Sequence, residues 1–104
     1  ERKKLMMRKG SRVYELLSPN LKKQIEMLMI EINPNEKIEA ELISHEGEEC
    51  GVVIKGTLRV ISGDKIYDLN EGDSIYLDST IPHKYINMGE ELSVSVWAMV
   101  PPSF

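Results

Sequence analysis

The chain has 104 residues, 41% hydrophobic and 29% charged, with a formal net charge of −4. That length suits one compact domain, and the apolar content is too high for a disordered segment. No run approaches the ~20 apolar residues of a membrane helix, nothing reads as a signal peptide, and the negative charge argues against the chain as a whole gripping nucleic acid.

In chain order, the opening ERKKLMMRKGSR carries six basic side chains against one acid, Glu1. Residues 1–11 are expected to be a solvated basic linker or tail, ahead of a β domain over 12–104. Arg12–Leu17 reads as a first strand, closed by Ser18-Pro19-Asn20, and Leu21–Gln24 as a single turn. Ile25–Ile32 continues as a strand that Asn33-Pro34-Asn35 stops. A helix over Leu21–Ile32 is the competitor, because Leu21, Ile25 and Leu28 are spaced for one helical face. Further strands are expected at Ile38–Ser44, Gly51–Lys55 and Thr57–Ile61. Ser62-Gly63-Asp64-Lys65 is a tight hairpin signal, and Ile66–Leu69, Ser74–Leu77 and Lys84–Asn87 follow. Leu92–Val100 alternates, with Leu92, Val94, Val96, Ala98 and Val100 on one face and Ser93, Ser95, Trp97 and Met99 on the other. Both faces carry apolar residues, so contacts on both sides are expected. Many short strands at this spacing imply an all-β sandwich or barrel.

Two motifs carry the chemistry. His45, Glu49 and Gly56 fall in H-x3-E-x6-G, and Gly72, His83 and Asn87 in G-x10-H-x3-N. Two imidazoles and a carboxylate from neighbouring strands can converge inside a barrel, and such a set suits a divalent transition metal such as iron, manganese, zinc, nickel or copper. A metal-free polar floor, satisfied by hydrogen bonds or a ligand, is the alternative. Tyr76, Tyr85 and Trp97 are candidate pocket walls, with plain core or interface roles as their alternative. Glu41, Glu46 and Glu48 would give the mouth a negative field, favouring a cationic metabolite such as a polyamine or an amino acid's ammonium group. Cys50, the only cysteine, cannot form an internal disulfide and is expected to be a small buried residue facing away from Glu49.

These two motifs, in this order and separation, resemble those of cupins. The resemblance implies a single cupin barrel, a double-stranded β-helix or jelly-roll. Cupin metal sites usually carry H-x-H in the first motif, where this chain has Ile43, and the usual Pro and Gly of the second motif are Asp78 and Thr80. The segments VYELLSPN, LKKQIEMLMIEINPNEK, SHEGEECGVVIKGTLRV and VSVWAMVPP are similar to the C-terminal sensor domains of lambda-repressor-like helix-turn-helix bacterial regulators. That likeness implies a cytoplasmic homodimer that binds a small-molecule effector, is not an enzyme, and meets DNA only through an N-terminal domain absent from these residues. A small metal-dependent cupin enzyme, of dioxygenase, isomerase or decarboxylase type, is the rival class, and a bare dimerisation module is a third.

Overall fold

The computed structural model describes residues 5–10, 12–20, 22–34 and 41–103. The described chain forms strands β1 (Leu5–Lys9), β2 (Arg12–Leu16), β3 (Glu26–Ile32), β4 (Glu48–Lys55), β5 (Leu58–Ser62), β6 (Lys65–Leu69), β7 (Ser74–Asp78), β8 (His83–Ile86) and β9 (Ser93–Val100). They make two antiparallel sheets. One has six strands in the order β1-β2-β3-β9-β4-β7, and the other has three in the order β6-β5-β8. This is the all-β jelly-roll expected from the sequence.

Period-two alternation explains the core. Along β3, Glu26, Leu28, Ile30 and Ile32 are buried, while Met27, Met29 and Glu31 point outward. A helix would have scattered these residues around its circumference, so the strand wins over the competing helix. The inward apolar residues Leu28, Ile30, Ile32, Val53, Leu58, Val60, Leu77, Tyr85, Trp97 and Met99 form one cluster between the sheets. At about 1.5–3 kcal/mol for each large apolar side chain buried, this layer is the main stabilising term.

On β9 it is the Ser93, Ser95, Trp97 and Met99 face that is buried, while the valine face looks outward. The reason lies across the sheet. Gly51 is the register partner of Trp97, and a Cβ on Gly51 would sit 2.4 Å from the indole ring. The missing side chain lets the indole lie flat against β4, and the indole Nε1–H donates to the Ser95 hydroxyl at 2.9 Å.

Two cross-connections tie the sheets together. The buried Arg12 guanidinium of β2 donates to the Tyr85 carbonyl of β8. Asn87 donates through Nδ2 to the Ile32 and Glu91 carbonyls, both at 2.8 Å, and accepts from the Gly89 N–H at 2.9 Å. The hairpin at Ser62–Lys65 closes through Gly63, at φ 60°, as its composition predicted.

Several expectations need adjustment. Leu5–Lys9, taken above as part of a linker, is an edge strand paired with β2 from Leu5↔Leu16 to Lys9↔Arg12. β4 begins at Glu48 rather than Gly51, which puts Glu49 on the strand. Of the strand expected at Ile38–Ser44, residues 38–40 lie outside the described residues, and the remainder contributes a single bridge, Ile43↔His83.

Candidate functional site

Glu49 enters the interior because β4 alternates, with Glu49, Gly51 and Val53 inward and Glu48, Cys50 and Val52 outward. His83 opens β8 opposite Ser62 and is fully buried. His45 precedes β4 and is held by its backbone N–H, which donates to the Ser79 carbonyl at 2.9 Å. Ile43 and His83 exchange backbone hydrogen bonds of 2.8 Å in both directions, which brings the first motif against the second.

The three side chains converge. His83 Nε2 lies 2.7 Å from Glu49 Oε1, and His45 Nε2 lies 3.8 Å from the same oxygen. The imidazole rings stand edge to face with centroids 5.5 Å apart. One potential ligand atom from each of the three residues falls within 4.8 Å of the others.

Electrostatics couple the group tightly. Burial pushes the Glu49 pKa up, but hydrogen bonding and charge from His83, a hydrogen bond from Tyr85 and the proximity of His45 outweigh it, and the carboxyl sits below its usual value. For His83 burial pulls down, while Glu49 and the Ile81 carbonyl outweigh it and raise the imidazole. Burial, reinforced by the Glu49 charge, holds the Tyr85 phenol far above its ordinary range, so this hydroxyl remains a proton donor.

Two features fit the group to a cation. His83 Nδ1 lies 2.8 Å from the Ile81 carbonyl, as a donor would, so the neutral tautomer would turn the Nε2 lone pair toward Glu49. Second, His83 Nε2 and Glu49 Oε1 are buried and 2.7 Å apart, and neither atom has a partner beyond this contact. A buried nitrogen and oxygen left to each other, beside a carbonyl-oriented histidine, are compatible with a cation held between them. The alternative occupant of that space is a proton, giving an imidazolium–carboxylate pair.

Of the candidate wall residues, two join the cluster. The Tyr85 ring lies 5.7 Å from His83 and 4.7 Å from Trp97, centroid to centroid. Tyr76 does not join them. It stands on the outer face of β7, 65% exposed, with its hydroxyl bonded to Glu48. Cys50 is exposed on that same outer face, opposite Tyr76 in the register, so the expectation of a buried thiol fails while its orientation away from Glu49 holds. Glu41, Glu46 and Glu48 are all exposed.

Residues that sequence reasoning passed over also border the site. Ser79 is fully buried with a hydroxyl lacking a hydrogen-bond partner, and Met99 pairs directly with Glu49. Arg12, counted above among the basic side chains of the opening and placed at the start of the first strand, is buried behind Tyr85. Its signal was the alternation of Arg12, Tyr14 and Leu16 on one face of β2. The departures at 78 and 80 have a local explanation. The Asp78 carboxylate accepts from the Thr80 N–H at 3.0 Å and from its hydroxyl at 2.6 Å, so these side chains shape the turn that leads to His83.

A family model for the cupin domain matches residues 28–100, more than half of the chain. The chain belongs to the cupin family. This cupin is 31% identical over 64 residues, 62% of its length, to the HTH-type transcriptional regulator PuuR of Escherichia coli (strain K12). The match covers 35% of that regulator, so the cupin spans about a third of the length of its curated relative. Among solved structures it is similar to an RmlC-like cupin from Shewanella frigidimarina, with TM-score 0.78 and 16% identity over 95% of this chain and 85% of that one. It is also similar to hydroxypropylphosphonic acid epoxidase from S. wedmorenis, with TM-score 0.81 and 19% identity over 92% and 55%. A mutant oxalate decarboxylase OxdC of Bacillus subtilis superimposes with TM-score 0.80 and 22% identity over 97% and 28%. At such identities the structural likeness is one of fold.

Proposed function

We propose that this cupin is the effector-binding part of a helix-turn-helix transcriptional regulator, working as a cytoplasmic homodimer. In this reading His45, Glu49 and His83 form the polar floor of the effector site, and Tyr85 and Trp97 its wall. DNA is met by a separate domain outside these residues. The match to a named helix-turn-helix regulator is the observation that carries the reading. One further point supports it. The chain's net charge of −4 suits a module that leaves phosphate contacts to another domain.

Each residue has a definite task. Glu49 presents a carboxylate from which burial has removed competing water, and Tyr85 donates to it and fixes its orientation. His83 is oriented through the Ile81 carbonyl, and half-buried His45 stands between floor and solvent. A divalent metal held by His45, Glu49 and His83 would supply Lewis-acid coordination for an effector's donor atoms. Without a metal, the same floor accepts hydrogen bonds or a positive charge directly, and the exposed glutamates at 41, 46 and 48 favour a cationic effector.

The test is a thermal-shift screen of this chain against polyamines and amino acids, each with and without manganese, iron or zinc. A ligand at 100 times its Kd should stabilise by about 2.7 kcal/mol, and the shift should vanish in Glu49→Gln and His83→Ala. A hit that binds those variants unchanged would reject the site. The enzyme reading rests on one observation, the convergence of three donors typical of metal chemistry. Metal-dependent turnover of a hit would decide for it.

A further inference from the structure

We infer that Arg12 is a positioning residue that couples the His45–Glu49–His83 floor to the N-terminal hairpin β1–β2; the use of that coupling rests on the sensor reading. Three contacts between named groups make the connection. The Tyr85 phenol hydrogen-bonds to the Glu49 carboxylate, which ties the floor to β8. The Tyr85 ring packs against Trp97 and His83, at centroid distances of 4.7 and 5.7 Å. The Tyr85 carbonyl accepts from the guanidinium of Arg12, which is buried on β2. The path therefore leaves the six-stranded sheet at β4, crosses the three-stranded sheet at β8 and returns at β2.

Arg12 stands where the hairpin is held most lightly. Lys9↔Arg12 is the last pair of β1–β2 before the turn, in which Gly10 takes φ 60°. Met6, Met7, Arg8 and Lys9 are all exposed, so these four residues of β1 are fastened by the backbone ladder to β2 and not by burial. On β2, Arg12, Tyr14 and Leu16 share the inner face, and Arg12 is the one beside the turn. Segments with few buried contacts open most easily, so a displacement of Arg12 shows there first.

Occupancy of the floor reaches Arg12 through Tyr85. A cation or an effector's donor group held between Glu49 and His83 would compete with the phenol for the carboxylate. The Tyr85 ring is buried and packed on two aromatic neighbours, so the adjustment passes into the β8 backbone. That backbone carries the carbonyl on which Arg12 is anchored. The bond is charge-assisted and directional, so moving its acceptor moves or releases the guanidinium. In the proposed regulator the DNA-binding domain precedes β1, which puts this hairpin on the route to it.

The test is amide hydrogen exchange on this chain, read at β1–β2 and, for reference, at the β5–β6 hairpin. The variants are Glu49→Gln, which removes the floor's charge and keeps its shape, Arg12→Gln, Arg12→Lys, and each Arg12 variant combined with Glu49→Gln. Alone, Glu49→Gln should change exchange at β1–β2 by about 5-fold or more relative to the reference hairpin, as members of one network do. In the Arg12→Gln background the same substitution should change it by less than about 2-fold, the scatter of independent sites. The Arg12→Lys background, which keeps the charge without the planar fork, should show an intermediate response. An equal factor in wild type and Arg12→Gln would overturn the inference, as would an equal change at both hairpins or none at either. Should Arg12→Gln not fold, the response must still be smaller in Arg12→Lys than in wild type, and equality overturns the inference. Exchange coupling in a full-length protein whose operator affinity ignores the effector would reject the sensor reading and leave the role of Arg12 standing. An operator response without exchange coupling would reject the role of Arg12 alone.

Discussion

At the scale of single residues, His83 and Glu49 make a pair whose state depends on pH. In metal-free protein His83 is raised above 6.5, so its contribution is complete below that value and fades as pH rises through the folded pKa. Glu49 is lowered below 4.5, so its contribution is complete above that value and fades as pH falls through its folded pKa. The pair should therefore stabilise most between about pH 4.5 and 6.5. Urea melts across pH should show that shoulder in wild type and a flatter profile in His83→Gln; identical profiles would deny the coupling. If a metal is held here, His83→Ala should strip it, because two remaining ligands bind a transition metal weakly, and elemental analysis reads this directly. The convergence of His45, Glu49 and His83 was legible because two motifs at fixed spacing name positions. The exclusion of Tyr76 was not, because period two assigns a face without saying which face is inside.

At the scale of elements, the strands were legible from alternation and turn residues, whereas their polarity was not. The valine face of β9 looks like a core face, yet Trp97 and Met99 take the interior because Gly51 leaves room for the indole. Gly51→Ala should push a methyl into that ring and cost about 1–3 kcal/mol, measured by urea denaturation; a neutral effect would mean the indole lies elsewhere. β4 was read as starting three residues late because Glu48 and Glu49 look like solvated loop. Burial of Glu49 is compensated by His83 and Tyr85, which no single-strand pattern reveals. Asn87 was legible as a motif residue, and its task emerges only from the fold. Asn87→Ala should strand the Ile32 and Glu91 carbonyls and cost about 2–3 kcal/mol, visible as a drop in Tm; an unchanged Tm would remove its role as a fastener.

At the scale of the whole molecule, the proposed sensor reading requires that a ligand on the polar floor be felt elsewhere in the jelly-roll. A ligand on that floor would touch β4, β8 and β9 through Glu49, His83 and Trp97, and β4 and β9 also carry Val52, Val96 and Ala98 on the outer face. A shift of either strand on binding would thus reach the outer face of the six-stranded sheet. In the proposed regulator, DNA-binding domains carried on a dimer would have to match half-sites about 34–36 Å apart, so a small change of dimer geometry would alter operator affinity, typically by about 1–3 kcal/mol. The most direct measurement is an operator titration of the full-length protein carrying this chain, with and without a saturating effector found by thermal shift. The account predicts a 5- to 150-fold change in operator Kd, roughly the range of such couplings, that disappears in Glu49→Gln. An operator Kd unchanged by the saturating ligand would contradict it.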